Sequence, residues 1–144
     1  MKTLALAFVL ALSSAAFAPA QTAAPAGAKH KVVLQMNVAN DESWNQLFGN
    51  IGNLQKAFGK DNVQIEVVFY GRGIMALLKT DTVFQDRMKE AAAGGVVLAA
   101  CQNSMRQRKI KSEDIFSFAT EVDSGVAELV RKQEAGFSYI RAGE

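Results

Sequence analysis

The sequence predicts an α/β fold in which a mostly parallel sheet is sandwiched between helices. Three apolar, β-branched runs, at residues 31–38, 63–70 and 96–100, are separated by segments whose apolar residues recur at helical spacing. Strands that are apolar on both faces and alternate with helices are typical of a parallel sheet covered on both sides. Two shorter runs, at residues 118–122 and 137–141, bring the predicted sheet to five strands.

The first helix is predicted by its start, its apolar spacing and its end. Ser43 and Gln46 are spaced as a capping box, in which each side chain accepts a hydrogen bond from the other residue's backbone N–H. The apolar residues at helical spacing are Leu47, Phe48, Ile51, Leu54 and Phe58. Gly59 supplies the C-terminal stop, so the helix is predicted to lie between Ser43 and Gly59.

Three further helices are predicted after the second, third and fourth strands. Thr82 and Gln85 form another capping box, and the helix that follows them is expected to end at residues 94–95, which are both glycine. Residues 102–108 follow the third strand directly, and residues 124–135 form the last helix. Three apolar residues of that last helix are expected to face the core: Val126, Leu129 and Val130.

The first residues of the chain have the pattern of a secretory signal peptide. A positive charge precedes a short apolar run at residues 4–12, and small residues follow it. Because the run is shorter than the roughly 20 residues that span a bilayer, cleavage is favoured over a permanent membrane anchor. We expect residues 1–20 to be the signal peptide, residues 21–29 a flexible leader, and residues 30–144 the folded domain, located in the periplasm.

The composition excludes several classes of site. The chain has one Cys and one His, too few for a zinc cluster of Cys and His ligands, and one Cys cannot form an internal disulfide. The formal net charge is +2, whereas a nucleic-acid-binding domain normally carries a strongly basic face. We therefore expect no metal, no cofactor and no nucleic-acid partner.

The candidate site lies where the predicted strands end. Ligands of open parallel sheets bind beyond the carboxyl ends of the strands. Three features of this chain are expected there: residues 37–41, residues 71–73 and Cys101. The two glycines of the second feature resemble the start of a dinucleotide-binding fingerprint, but Ala76 stands where the third glycine is required. A tight turn is therefore favoured over a nucleotide site.

Cys101 stands where the third strand passes into a helix. The unpaired N–H groups of a helix start favour the thiolate, which is the nucleophilic form of cysteine. Four basic residues follow and could add positive potential: Arg106, Arg108, Lys109 and Lys111. From the residues alone, a lone Cys after an apolar strand is more often a small buried hydrophobe, so a reactive and a structural Cys101 both remain open.

Three segments together resemble the DsrE-like family. They are residues 67–74 (VVFYGRGI), residues 95–105 (GVVLAACQNSM) and residues 124–141 (SGVAELVRKQEAGFSYIR), and the resemblance extends from about residue 30 to residue 141. It implies a three-layer α/β/α domain with a central, mostly parallel five-stranded sheet, assembled into trimers or hexamers.

The resemblance also implies a function for Cys101. In sulfur-transferring members of this family, a cysteine after the third strand accepts sulfane sulfur as a persulfide and passes it to a partner protein, and Cys101 aligns with that cysteine. The best-known members work in the cytoplasm, in sulfur oxidation or tRNA thiolation. The predicted export signal of this chain argues against tRNA thiolation.

Two hypotheses follow. In the first, the protein carries sulfur on a Cys101 that small molecules can reach, with Arg72 or Arg106 near the thiolate and with a sulfur donor or acceptor protein as partner. In the second, it is a non-catalytic oligomeric module that binds a small ligand or a partner, and Cys101 is structural. The site residues of the first hypothesis are Cys101 as the sulfur carrier and Asn37, Gly71, Arg72, Gly73, Asn103 and Ser104 as ligand-binding residues.

Overall fold

A computed structural model describes residues 30–80 and 83–143. The strands are β1 (His30–Met36), β2 (Val63–Phe69), β3 (Val97–Cys101), β4 (Thr120–Val122) and β5 (Ser138–Arg141). The helices are α1 (Asp41–Phe58), α2 (Gln85–Ala93), α3 (Gln102–Gln107) and α4 (Gly125–Glu134), and short 3-10 helices cover Lys60–Asn62, Gly71–Leu77 and Ser112–Asp114. The predicted signal peptide and leader lie outside the described residues.

The five strands form one sheet in the order β4-β3-β2-β1-β5. Every pair of neighbouring strands is parallel. The prediction of a three-layer α/β fold is thus confirmed, and the sheet is wholly parallel where a mostly parallel one was expected. Because all strands run the same way, β1, β2 and β3 end at one edge, and the segments that follow them meet there.

The two faces of the sheet contribute to two buried clusters of unequal size. The larger cluster joins strand residues such as Leu34 and Phe69 with Leu47 of α1 and Met88 of α2. The smaller cluster includes Leu129 of α4, Phe137 just before β5, and three strand residues: Val33, Val68 and Ala99. Across the described ranges, no helix combines the length and the apolar character that a bilayer crossing requires.

The prediction that Val126 and Val130 face the core is wrong. They are 58% and 50% exposed, whereas Leu129 between them is buried. The side of α4 that faces the sheet carries Gly125 and Leu129, which are buried, and Lys132, which reaches Glu66 on β2. Helical spacing alone does not tell which of two neighbouring sides of a helix is buried against the sheet.

The predicted start of α1 is also wrong by three residues. The side chain of Asn40 caps the helix and accepts a hydrogen bond of 2.7 Å from the Ser43 N–H. Asn and Ser are both favoured N-cap residues, so the sequence offers two starts, and the chain uses the earlier one. The second predicted capping box involves Thr82, which lies outside the described residues, and α2 begins at Gln85.

Candidate functional site

Cys101 lies at the carboxyl edge of the sheet, between the ends of two other strands. It is the last residue of β3 and also the N-cap of α3, as the sequence predicts. On one side it pairs with Val122 of β4. On the other side the register pairs Phe69 with Ala100, which places Tyr70 beside Cys101.

The sulfur of Cys101 is buried where two helices begin. Sγ accepts hydrogen bonds from the Gly125 N–H at 3.1 Å and from the Ser104 N–H at 3.5 Å. Only 3% of the residue is exposed, so the expectation of a thiol that small molecules reach directly is wrong. The sulfur is nevertheless surrounded by hydrogen-bond donors, which an inert cysteine in an apolar pocket would lack.

The close approach of α4 depends on the absence of a side chain at Gly125. A Cβ placed there would lie 2.8 Å from the Cβ of Tyr70 and 3.2 Å from the Cβ of Cys101. Real Cβ atoms essentially never come within 3.0 Å of another atom, so a larger residue would push α4 away from the sulfur. Gly125 is a site residue that was not predicted from the sequence, where the available signal was a glycine directly after the capping Ser124.

The hydrogen bonds around Sγ outweigh its burial. Burial by itself raises the pKa of Cys101 because it disfavours the charged thiolate. The Ser104 hydroxyl and the backbone N–H groups of Gly125, Ser104 and Asn103 lower it, and the net effect is a pKa below the usual value for a thiol. The site therefore favours the nucleophilic form of Cys101.

Gly71 and Ser104, two of the predicted site residues, are bonded to each other. The Gly71 N–H donates a hydrogen bond of 2.7 Å to Ser104 Oγ. Gly71 has a φ of +56°, a left-handed conformation that favours glycine. Its carbonyl oxygen accepts a hydrogen bond of 2.9 Å from Arg108 Nε. The N–H and the carbonyl oxygen of Gly71 thus attach the turn after β2 to α3 and its C-cap residue.

Asn37 and Gly73 are brought to the same edge. A Cβ at Gly73 would lie 2.2 Å from the carbonyl oxygen of Met36, so this position requires glycine for close packing against the end of β1. Asn37 Oδ1 is buried and has no hydrogen-bond partner within the described ranges. These residues shape the edge of the sheet, and the structure gives neither of them a contact with Cys101 Sγ.

The three remaining predicted polar residues are exposed. The side chain of Asn103 accepts a hydrogen bond from Arg106, which directs that guanidinium to Asn103 and not to the sulfur. Neither Arg72 nor Arg106 donates a hydrogen bond to Cys101 Sγ in the part of the chain that the structure describes. The thiolate is therefore stabilised by backbone N–H groups and a hydroxyl, without a guanidinium.

Comparison with known proteins identifies the family. The sequence profile of the DsrE/DsrF-like family matches residues 2–142. The chain belongs to this family. The DsrE/DsrF-like family is associated with sulfur relay in general. No curated protein is significantly similar to the chain.

Solved structures of related fold agree with this assignment. The chain is similar to the protein of unknown function MTH1491 from Methanobacterium thermoautotrophicum, with 30% sequence identity and a TM-score of 0.74 over 78% of this chain and 99% of that one. It is also similar to the YchN protein from E. coli, with 14% identity and a TM-score of 0.63 over 79% of this chain and 98% of that one. A third similar structure is the conserved protein of unknown function BT1422 from Bacteroides thetaiotaomicron, with 17% identity and a TM-score of 0.60 over 77% and 93% of the two chains.

The chemistry available to this DsrE/DsrF-like site is that of a thiol. Among residues 30–80 and 83–143, no group of three or more His, Cys, Asp or Glu side chains is placed to hold a metal ion. The buried Cys101 is the only cysteine of the chain. A stabilised thiolate can attack electrophilic sulfur, and it can also leave again when another thiolate attacks.

Proposed function

We propose that this protein carries sulfane sulfur as a persulfide on Cys101, as one step of a sulfur relay. The observation that carries the proposal is the hydrogen bonding of Cys101 Sγ by Gly125 and Ser104, which come from two different helices. A cysteine that serves only as packing does not need donors from two elements directed at its sulfur. Membership of the DsrE/DsrF-like family supports the same chemistry.

The reaction can be written with thiosulfate as the donor. The Cys101 thiolate attacks the outer sulfur, a new S–S bond forms, the S–S bond of thiosulfate breaks, and sulfite leaves with the electron pair. An acceptor thiolate then attacks the outer sulfur of the persulfide, and Cys101 leaves as a thiolate. A low thiol pKa favours both steps, because it raises the thiolate fraction and makes Cys101 a better leaving group.

The burial of Cys101 limits which molecules react with it. Because only 3% of the residue is exposed, Cys101 is protected from water and from small oxidants, which attack exposed thiolates most readily. Sulfur transfer requires the side chains that cover Sγ to move, since donor and acceptor must both reach the outer sulfur. Protection of this kind suits a thiol that works in an oxidising compartment.

Intact-mass spectrometry tests the proposal directly. After exposure to thiosulfate or polysulfide, the wild-type protein is expected to gain the mass of one sulfur atom and to lose it on treatment with dithiothreitol. Cys101→Ser is the matched control, with its fold checked by circular dichroism, and it should gain nothing. Absence of the added sulfur in wild type, or its presence in Cys101→Ser, would contradict the proposal.

A second candidate function is a non-catalytic binding module in which Cys101 is structural. The near-complete burial of the residue favours this candidate. The two candidates differ in the alkylation of Cys101, because a structural thiol reacts slowly with iodoacetamide even when the pH is high. A wild-type protein that alkylates only after urea unfolds it would support the second candidate.

Location and assembly are further parts of the proposal. The apolar run at residues 4–12 supports export to the periplasm, and cleavage after Ala20 would give a mature protein that starts at Gln21. The exposed apolar side chains of Val126, Val130 and Tyr139 support burial against another copy of the chain, as in a trimer or hexamer.

These two expectations have separate measurements. Fractionation of cells that express the full chain should place the protein in the periplasm, with an N-terminus at Gln21. Light scattering should give the mass of three or six mature chains. Retention in the cytoplasm would contradict export, and a monomer at every concentration would contradict assembly.

A further inference from the structure

We infer that Gly71 and Ser104 act together to hold a hydroxyl hydrogen on the sulfur of Cys101. Ser104 touches the reacting sulfur, and Gly71 is a positioning residue that acts through Ser104. The inference rests on the proposed function only in taking Cys101 as the group that reacts. It assigns a role to two residues that stand in different elements, the turn after β2 and helix α3.

The direction of the Ser104 hydroxyl follows from its partner. A serine hydroxyl has one hydrogen to donate and two lone pairs to accept with. The Gly71 N–H can only donate, so its 2.7 Å hydrogen bond occupies a lone pair of Ser104 Oγ. The hydroxyl hydrogen must therefore point elsewhere, and we place it on Cys101 Sγ, which already accepts a hydrogen bond of 3.5 Å from the backbone N–H of the same serine.

The geometry of Gly71 fixes this arrangement. Its left-handed φ of +56° is a conformation that glycine adopts freely, asparagine tolerates, and β-branched residues avoid. The Gly71 N–H binds Ser104 while its carbonyl oxygen accepts from Arg108, the C-cap residue of α3. Because one turn binds both Ser104 and the C-cap residue of α3, the Ser104 side chain cannot change rotamer without losing the Gly71 bond.

The other groups around the sulfur carry no charge when the thiol ionises, so the Ser104 hydroxyl accounts for a large share of the effect on the pKa of Cys101. The neighbour from the end of β2 is Tyr70, whose pKa is raised mainly by burial, so its phenol is neutral when the thiol ionises. The neighbour from β4 is the apolar Val122. Asn103 of α3 and Gly125 of α4 contribute backbone N–H groups and no charge. A hydrogen bond to a charged acceptor is stronger than one to a neutral acceptor, so the hydroxyl favours the thiolate.

The first test is the pH dependence of alkylation by iodoacetamide. In Ser104→Ala the loss of a donor should raise the pKa of Cys101, so that alkylation near neutral pH slows about tenfold while the limiting rate at high pH stays equal or rises. Ser104→Thr keeps the hydroxyl and should recover most of the neutral-pH rate. A change in packing alone would alter the limiting rate and leave the midpoint of the profile in place.

The second test uses Gly71, where a Cβ would have an ordinary contact of 3.6 Å with Asn37. Gly71→Asn retains the left-handed conformation and should keep the wild-type midpoint. Gly71→Val does not, and it should shift the midpoint in the same direction as Ser104→Ala. Urea unfolding checks that each variant is folded, and the pair keeps the inference testable if Ser104→Ala does not fold.

The outcomes separate this inference from the proposed function. A wild-type midpoint in Ser104→Ala, or equal midpoints in Gly71→Asn and Gly71→Val, would overturn the inference even if Cys101 takes up sulfur. Shifted midpoints in a protein that never gains sulfur from thiosulfate or polysulfide would support the inference and overturn the proposed function.

Discussion

Replacing Lys132 by methionine should lower the free energy of unfolding by about 3 kcal/mol at slightly alkaline pH. Lys132 of α4 neutralises Glu66 of β2, a carboxylate that is only 4% exposed, through a contact of 2.5 Å between Nζ and Oε2. The other oxygen of Glu66, Oε1, has no hydrogen-bond partner in the described ranges. Without the ammonium group, a buried negative charge would remain uncompensated, which is far more costly than the loss of an exposed ion pair.

The size of this effect should depend on pH. Burial is the main influence on Glu66 and raises its pKa, although Lys132 opposes it. A carboxyl with a raised pKa in the folded state contributes stability at low pH that is lost as the pH rises through the folded value. Lys132→Met removes the opposing charge and raises the pKa further. The variant should therefore be close to wild type at about pH 4 and much less stable at about pH 8.

Urea unfolding at the two pH values measures the difference. Lys89→Met is the matched control, because Lys89 is an exposed residue of α2, and it should change stability by less than about 0.5 kcal/mol. The double variant Glu66→Leu with Lys132→Met should recover most of the loss, since apolar residues can replace a buried ion pair. Equal losses at both pH values in Lys132→Met would show that only the packing of its methylene groups matters.

The sheet was predictable because the strand sequences have the apolar composition of strands that are buried on both faces. The runs at β1, β2 and β3 are mostly apolar and bury residues on both faces of the sheet, so their number and order follow from the sequence. The start of α1 was not predictable to the residue, because Asn40 and Ser43 are equally good caps and only the packing of the helix decides between them. The exposure of Val126 was not predictable for a similar reason. The side of α4 that meets the sheet depends on the path of the whole connection between β4 and β5.

Only those parts of the candidate site that depend on residues close together in the sequence were predictable. A polar helix directly after an apolar strand placed Cys101 at the strand end, and the turn at Gly71 follows β2 in the same way. The second helix start at the sulfur belongs to Gly125, which is 24 residues further along the chain. The sequence contains no periodicity that reports this contact.

Replacing Gly125 by alanine should slow the alkylation of Cys101 near neutral pH by about tenfold and lower the free energy of unfolding by about 1–3 kcal/mol. The added Cβ would come within 2.8 Å of Tyr70 Cβ, which moves only with the backbone at the end of β2, and within 3.2 Å of Val68 Cγ1. The start of α4 must move outward, which lengthens the 3.1 Å hydrogen bond from the backbone N–H to Cys101 Sγ. The pKa of Cys101 should rise, because burial then acts against fewer donors.

Gly49→Ala in α1 is the control for the effect of a methyl group on a helical glycine. Nothing lies within 4 Å of a Cβ at that position, so this variant should gain up to about 1 kcal/mol from helix propensity and keep the wild-type pH profile. Thiol pKa values come from alkylation rates as a function of pH, and stabilities come from urea unfolding. A Gly125→Ala protein that loses stability while its thiol midpoint stays at the wild-type value would show that α4 supports the fold without activating Cys101.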